Sequence, residues 1–82
     1  MQFLWASGGI VAYARQIGDE TTIVVLNAGR QSRRLDLPVG NLLAEGTVLS
    51  ECWSHDLMRV QRGKLNDLVI SPRSGRIWAG AS

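Results

Sequence analysis

The sequence contains the three residue types of a catalytic triad at consecutive positions, Ser54, His55 and Asp56. In a triad the serine hydroxyl attacks the substrate, the histidine accepts its proton and the aspartate orients the histidine. Consecutive residues of an extended chain point to alternating faces, so these three side chains cannot line up in that way. The pattern therefore favours a polar turn over a hydrolytic site.

Two further groups have reactive residue types without the surroundings that the chemistry requires. Cys52 and His55 could bind a metal, but structural zinc needs four ligands and the sequence has one cysteine and one histidine. The adjacent carboxylates of Asp19 and Glu20 lie in a predicted turn, whereas general acid–base catalysis needs a shielded pocket. We therefore expect no catalytic residue, no metal and no cofactor in this chain.

A small basic cluster, formed by Arg30, Arg33 and Arg34, lies near another predicted turn. Binding of single-stranded nucleic acid would require aromatic side chains interleaved with this charge, and the neighbouring residues are polar or aliphatic. The net charge of the chain is only +2, whereas nucleic-acid domains concentrate far more positive charge on one face. A basic nucleic-acid-binding barrel is thus the weakest functional hypothesis, and we expect no nucleic-acid partner.

The length of 82 residues, with 45% hydrophobic residues, suits one small folded domain over residues 1–82. No segment approaches the ~20 apolar residues of a membrane span, and the first residues do not resemble a signal peptide. The single cysteine allows no internal disulfide, which fits a reducing compartment. We expect a cytoplasmic protein without a membrane partner.

Hydrophobic residues recur with a period of two along most of the chain, which predicts strands. Residues 10–17 form a first long strand, with Ile10 and the two alanines on one face. Residues 18–20 make a hairpin turn, and residues 22–28 are apolar on both sides. We expect this second strand to be central in its sheet and buried on both faces.

The remaining chain contains short strands, with turn signals every ~8–12 residues. Leu35, Leu37 and Val39 alternate with polar residues, which indicates a strand with one wet face that ends near Pro38. Further strands are predicted over residues 3–6, 48–53, 57–61, 66–70 and 76–79, with a loop or one helical turn over residues 40–46 and a bulge or strand start at Leu65. The predicted fold class is all-β, an antiparallel β-sandwich of seven to eight strands with Greek-key-like connections.

Four residues have structural interpretations. Asn27 ends the central strand just before Gly29, and its side chain can bond backbone groups of the following turn. Pro72 and Gly75 bound the turn before the last strand, where a fixed φ and a glycine are favoured. We expect these residues to position the chain rather than to take part in chemistry.

An ordered set of motifs resembles one family. The set is VAYAR from Val11, GDE from Gly18, IVVLN from Ile23, LDLP from Leu35 and LVISPRSGR from Leu68. In this order the motifs resemble the C-terminal β-domain of the α-amylase superfamily of glycoside hydrolases, particularly the branch of neopullulanase, cyclomaltodextrinase and maltogenic amylase. The resemblance covers nearly the whole chain.

The resemblance implies a partner that this chain does not contain. The family's enzymes act on α-glucans such as starch, pullulan and cyclodextrins, and their Asp and Glu residues lie on a (β/α)₈ barrel of ~250 residues. No catalytic residue can be carried over to this chain. The resemblance implies a non-catalytic C-terminal domain of a larger glycosidase, packed on the barrel and stabilising it. We expect an exposed apolar patch of more than a few hundred Å² where the barrel would lie, and self-association through it.

The tryptophans give the alternative function, a free-standing carbohydrate-binding module. An exposed indole can stack on the apolar face of a glucose ring, and the candidates are Trp5, Trp53 and Trp78. The competing interpretation, which we favour, is burial in the core or against the absent barrel, since tryptophan contributes mainly buried area. Trp5 is the residue that we expect nearest the barrel, because the family's first strand follows the barrel directly.

Overall fold

The described part of the chain consists of strands joined by turns. A computed structural model describes residues 2–81, with Ala81 described by its backbone alone. These residues form eight strands and no helix: β1 (Gln2–Ser7), β2 (Ile10–Ile17), β3 (Glu20–Asn27), β4 (Arg33–Pro38), β5 (Val48–Glu51), β6 (Leu57–Arg59), β7 (Lys64–Ile70) and β8 (Ser74–Ala81). The prediction of an all-β fold with seven to eight strands is confirmed.

The strands form two antiparallel sheets. The larger has the order β1-β2-β3-β8-β5-β6, and the smaller consists of β4 and β7. The chain leaves the large sheet after β3, returns for β5 and β6, leaves again for β7, and re-enters as β8 between β3 and β5. These crossovers between two layers give the predicted antiparallel sandwich, with connections of the Greek-key kind.

The core lies between the two sheets. The inward face of β2 carries Ile10 and the two alanines, as the alternation predicted, and β4 contributes Leu35 and Leu37. Fifteen hydrophobic side chains of the described residues are buried: Ile10, Ala12, Ala14, Ile23, Val25, Leu35, Leu37, Val39, Leu43, Leu49, Val60, Leu65, Leu68, Ile70 and Trp78. Removing this apolar area from water is the main favourable term in folding.

The prediction that the central strand is buried on both faces is wrong for the described residues. In β3 the inward residues are buried, but Val24 is half-buried and Leu26 is 43% exposed on the other side. The physical reason is that the small sheet covers only one side of the large sheet, and no described element covers the other. The apolar outward residues of β3 therefore meet solvent.

The predicted irregularity near Leu65 is a β-bulge. The register between β4 and β7 shifts between Leu35 and Leu37, so that two residues of β7 oppose Asp36. Asp67 takes a left-handed conformation there, with φ of 57°, and its backbone N–H donates to Oδ1 of Asp36 at 2.9 Å. The bulge brings both Leu65 and Leu68 into the core.

Three boundaries differ from the sequence prediction. Strand β5 ends at Glu51 and strand β6 ends at Arg59. Residues 40–46 lie outside the strands in hydrogen-bonded turns, as predicted. The last strand begins at Ser74, because Ser74 already pairs with Asn27 at the far end of β3. Gly75 therefore lies inside β8 and not in the preceding turn, which corrects its predicted position.

Candidate domain-docking surface

Two rows of apolar residues cross the uncovered side of the large sheet. The first row follows the register pairs from Ala6 through Val11 and Leu26 to Gly75, and the second follows the pairs from Phe3 through Tyr13 and Val24 to Ile77. Each row spans β1, β2, β3 and β8. These eight residues are called the apolar face below.

Most of the exposed apolar side chains lie on this side of the molecule. Among the described residues nine large hydrophobic side chains are exposed, and six of them point to the uncovered side of the large sheet: Phe3, Val11, Ile17, Leu26, Val48 and Leu57. Scattered exposed apolar side chains are ordinary, whereas a contiguous group marks an interaction site. The apolar face is therefore the candidate functional surface.

A glycine keeps the first row flat. A methyl group on Gly75 would lie 2.7 Å from Cδ2 of Leu26, closer than packed carbon atoms approach. Because Gly75 has no side chain, Leu26 can lie over the neighbouring strand β8. The two strands together present a low apolar surface.

The same side of the sheet becomes charged towards the opposite end of the strands. Arg15 pairs with Thr22 one step beyond the second row, Glu20 begins β3, and Arg59 lies on β6. Among residues 2–81, Arg15 and Arg59 form no ion pair and no side-chain hydrogen bond. Ile17, Val48 and Leu57 are exposed at the same end, so charged and apolar side chains are mixed beyond the second row.

Hydrogen bonds and an ion pair hold the turn that contains Ser54, His55 and Asp56. The backbone N–H of His55 donates to the carbonyl of Glu51, His55 has a positive φ of 62°, and the N–H of Asp56 donates to Oγ of Ser54. The carboxylate of Asp56 pairs with Arg76 at 3.3 Å. The three residues form an exposed polar turn, as the alternation argument predicted.

The other reactive residue types are also dispersed. Cys52 is exposed with a free thiol, and the described residues contain no group of three or more histidine, cysteine or acidic side chains able to hold a metal ion. Asp19 and Glu20 are exposed at the hairpin between β2 and β3, and the three arginines of the basic cluster are exposed as well. None of these residues lies in an enclosed pocket that would favour chemistry.

Glu51 is a buried carboxylate that the sequence analysis did not single out. Its side chain is 1% exposed. Oε1 accepts hydrogen bonds from the backbone N–H groups of Trp53 at 2.9 Å and Ser54 at 2.8 Å, and Oε2 accepts one from Ile77 at 3.0 Å. The guanidinium of Arg76 approaches to 3.9 Å. The carboxylate therefore ties the turn after β5 to β8.

The charge of Glu51 depends on these donors. Burial by itself raises the pKa of a carboxyl group, but the hydrogen bonds from the backbone of Ser54, Ile77 and Trp53 outweigh burial and lower the pKa of Glu51 to about 2. Strand alternation could have identified Glu51 as an inward residue from the sequence, because Glu51 is two residues from buried Leu49 and lies on the same face of β5. A carboxylate that points inward just before a turn is expected to accept hydrogen bonds from backbone N–H groups of that turn.

The three tryptophans have different surroundings. Trp78 is 2% exposed under the guanidinium of Arg76, whose central carbon lies 5.2 Å from the ring centroid, so Trp78 offers no ring face to a sugar. Trp5 is 38% exposed in a cleft of about 180 Å³ beside Arg33 and Arg34. Trp53 is 67% exposed on the turn that Glu51 holds. Burial leaves Trp5 and Trp53 as the candidates for carbohydrate contact.

Asn27 connects three segments at the end of the central strand. Its Nδ2 donates to the carbonyls of Gln31 at 2.9 Å and Ile70 at 3.0 Å, and its Oδ1 accepts from the N–H of Gly29 at 2.9 Å. A methyl group on Gly29 would lie 3.1 Å from that Oδ1. Pro72 is exposed in the turn before β8. The asparagine thus joins the large sheet to β7 in the small sheet.

One known protein family matches nearly the whole chain. The family described as "Neopullulanase-like, C-terminal domain" matches residues 1–79. The chain belongs to this family. The resemblance to the C-terminal β-domain of the α-amylase superfamily is thereby confirmed. No curated protein sequence matches the chain.

Solved structures show where the neopullulanase-like domain fold recurs. An Anoxybacillus α-amylase matches with a TM-score of 0.79 and 24% identity, over 98% of this chain and 17% of that one. An α-amylase from Geobacillus thermoleovorans, solved with acarbose, matches with a TM-score of 0.84 and 22% identity, over 99% of this chain and 18% of that one. A putative α-N-acetylgalactosaminidase from Bacillus halodurans has a TM-score of 0.73, 15% identity and coverages of 98% and 20%. At these identities the likeness establishes the fold alone.

The neopullulanase-like domain spans about a fifth or less of the length of these matched proteins. Its residues 2–81 contain no helix long and apolar enough to cross a membrane. Among the described residues, the carboxylates of Glu51, Glu45 and Asp36 accept hydrogen bonds from backbone N–H groups of turns and of the bulge.

Proposed function

We propose that this domain is the non-catalytic C-terminal part of a longer α-amylase-family glycoside hydrolase and that it stabilises the catalytic barrel of that enzyme. The observation that carries the proposal is the family match over residues 1–79, a family described as a C-terminal domain. The coverage of only 17% and 18% of two α-amylases supports it, because most of such an enzyme lies outside this domain.

The use of the carboxylates supports the non-catalytic part of the proposal. Glycoside hydrolysis requires two carboxyl groups that face each other across a substrate cleft. Here Glu51, Glu45 and Asp36 accept hydrogen bonds from backbone N–H groups, and Asp56 pairs with Arg76. These carboxylates therefore hold the backbone in place and are not arranged as an acid and a nucleophile.

The substrate class of the parent enzyme is part of the proposal. We propose that it hydrolyses α-glucans such as starch, pullulan or cyclodextrins. The family name and the two α-amylases of matching fold support this class. The catalytic carboxylates would lie on the preceding barrel.

The first experiment concerns the reading frame upstream of Met1. A barrel-coding region in frame is the expected result, and a stop codon followed by a ribosome-binding site directly before Met1 would remove the proposal. The whole reading frame is then expressed with and without residues 1–82. The shorter protein should hydrolyse α-glucan but lose activity on heating at a lower temperature. Equal thermal inactivation of both proteins would contradict the stabilising role.

A second candidate function is carbohydrate binding through Trp53, which the exposure of that residue favours. Its indole is 67% exposed, and the carboxylate of Glu51 fixes its backbone, so the ring is presented without a large ordering cost. Calorimetric titration with maltoheptaose should give heat that Trp53→Ala removes and that Trp5→Ala leaves in place. Absence of heat, with unchanged tryptophan fluorescence, would exclude this candidate.

A further inference from the structure

We infer that the cleft between β1 and β4 binds a sugar phosphate, with Trp5 in contact with the sugar ring and Arg33 bonded to the phosphate. The cleft has a volume of about 180 Å³, and Trp5, Ser7, Arg33 and Leu35 are among the residues that line it. The site depends only on the residues of this cleft and not on the proposed function.

A β-bulge turns Trp5 into this cleft. Strict alternation would place Phe3 and Trp5 on the same face of β1. The register between β1 and β2 shifts between these two residues, so that Trp5 pairs with Ala12, whose side chain is buried in the core. Trp5 therefore lies on the inner face of β1, whereas Phe3 belongs to the apolar face. Because β1 is an edge strand, the indole is only partly covered, and 38% of Trp5 is exposed.

The opposite wall of the cleft carries positive charge. Arg33 is two residues from buried Leu35 on β4, so it lies on the face of β4 that points to the large sheet. The central carbon of its guanidinium lies 3.8 Å from the position that a methyl group on Gly8 would occupy. The charge is thereby placed over the turn between β1 and β2. Because Gly8 has no side chain, the guanidinium is not covered on that side.

This charge has no counterion in the described part of the chain. No carboxylate is among the residues that line the cleft, and neither Arg33 nor Arg34 forms an ion pair with another of residues 2–81. The guanidinium of Arg76, by contrast, pairs with Asp56 at 3.3 Å. A guanidinium binds phosphate through two parallel N–H···O bonds, and a phosphate monoester carries a charge close to −2 near neutral pH. Two adjacent unpaired arginines therefore favour a phosphate monoester over a carboxylate.

The aromatic wall and the size of the cleft indicate the rest of the ligand. In the sequence the basic cluster has no aromatic neighbour, but the fold brings Trp5 beside it. The apolar face of a sugar ring can pack on the exposed part of the indole, and the hydroxyl of Ser7 can bond a sugar hydroxyl. A volume of about 180 Å³ equals that of about six water molecules. That space accommodates one hexose ring but not the base and ribose of a nucleotide.

Titration of the 82-residue chain with glucose 6-phosphate tests the site. In proton–nitrogen-15 NMR spectra the indole N–H signal of Trp5 should move with a Kd on the order of 0.1–1 mM, while the signals of Trp53 and Trp78 stay in place. Inorganic phosphate and neutral maltose should each bind at least about fivefold more weakly, because each makes only one of the two contacts. Added salt should weaken the binding of glucose 6-phosphate.

The chain offers matched controls for both contacts. Arg33→Gln should weaken binding about tenfold, and Arg33→Lys should retain part of the affinity because it keeps the charge. Arg59→Gln removes another exposed strand arginine, outside the cleft, and should have little effect. Trp5→Leu should weaken binding about fivefold, whereas Trp53→Leu should leave it unchanged. Arg33 is exposed, so its variants test the site without disturbing the core.

Three results would overturn the inference. They are equal affinities for inorganic phosphate and glucose 6-phosphate, tighter binding of adenosine monophosphate, and equal losses in Arg33→Gln and Arg59→Gln. A maltodextrin with one phosphorylated glucose distinguishes the two sources of this chemistry. Binding as tight as that of glucose 6-phosphate would assign the cleft to a phosphorylated glucan, and weaker binding would assign it to a free hexose phosphate. The heat inactivation of the parent enzyme, which tests the proposed function, is a separate measurement.

Discussion

Oε2 of Glu51 lies 3.0 Å from the backbone nitrogen of Ile77, and this bond joins the turn after β5 to the strand that crosses the middle of the large sheet. Ile77 also accepts a hydrogen bond from the N–H of Cys52 at 2.8 Å. The outward side chain of Ile77 belongs to the apolar face. A buried charge on one side of the sheet thus fixes the backbone beneath the apolar face on the other.

Replacement of Glu51 by glutamine should destabilise the isolated domain by on the order of 2–3 kcal/mol, because an amide nitrogen would meet backbone donors. Three N–H groups bond to the carboxylate, and the glutamine oxygen cannot serve both sides. Urea unfolding measures the change, with the exposed Glu20→Gln as the control. A difference between the two variants below about 0.5 kcal/mol would contradict the clamp.

The stability difference between the wild type and Glu51→Gln should depend on pH. The pKa of Glu51 is lowered from 4.5 to about 2 in the folded domain. Between these values the unfolded chain binds a proton at this residue that the folded chain does not. The contribution is therefore complete above pH 4.5 and is lost as the pH falls to about 2. The urea midpoints of both proteins at pH 7, 4, 3 and 2.5 test this pH dependence. A stability difference that stays constant over these pH values would contradict the lowered pKa of Glu51.

Two glycines of β8 should respond differently to alanine. At Gly80 the new methyl group would lie 2.8 Å from the backbone oxygen of Val48, which cannot move without breaking the sheet. At Gly75 the closest atom is the terminal methyl of the exposed Leu26, which can rotate away. Gly80→Ala should cost about 2 kcal/mol or more and Gly75→Ala about 1 kcal/mol or less. Thermal unfolding of the two variants shows which one is less stable. A less stable Gly75→Ala variant would contradict the packing described at one of the two glycines.

Asn27→Ala should destabilise the domain by about 2 kcal/mol, because the buried carbonyl of Ile70 and the partly buried carbonyl of Gln31 would lose their donor. Asn66→Ala is the control, since its Nδ2 makes one exposed hydrogen bond, to the carbonyl of Gln61 at 3.1 Å. The change at Asn66 should stay below about 1 kcal/mol. Equal urea midpoints for the two variants would show that Asn27 does not connect the sheets as its hydrogen bonds indicate.

Local patterns predicted the strands well because alternation reports which side of a strand meets the core. The inward faces of β2 and β4 and the bulge near Leu65 follow from parity alone. The ends of β6 and β8 could not be predicted in this way, because they depend on register with strands that are distant in the chain, as Ser74 with Asn27 shows.

The surface was harder to predict than the core. An apolar outward residue such as Val24 has the same sequence signal whether its cover comes from this chain or from another domain. The pattern therefore predicted burial on both faces, whereas the outward side chains of β3 in the structure are half-buried or exposed. Glu51 was missed because a glutamate is normally exposed, and its three backbone donors come partly from β8, far along the sequence.

The position of β8 also sets the order in which the chain can fold. β8 leaves the ribosome after the other seven described strands, and among these strands it alone joins the β1–β2–β3 meander to the β5–β6 hairpin in the large sheet. Until residues 74–81 emerge, the nascent chain can hold these two pieces only as separate hairpin units with unpaired edges. The large sheet is therefore complete only after its last described strand has been made, and the edges of β3 and β5 stay exposed to aggregation until then.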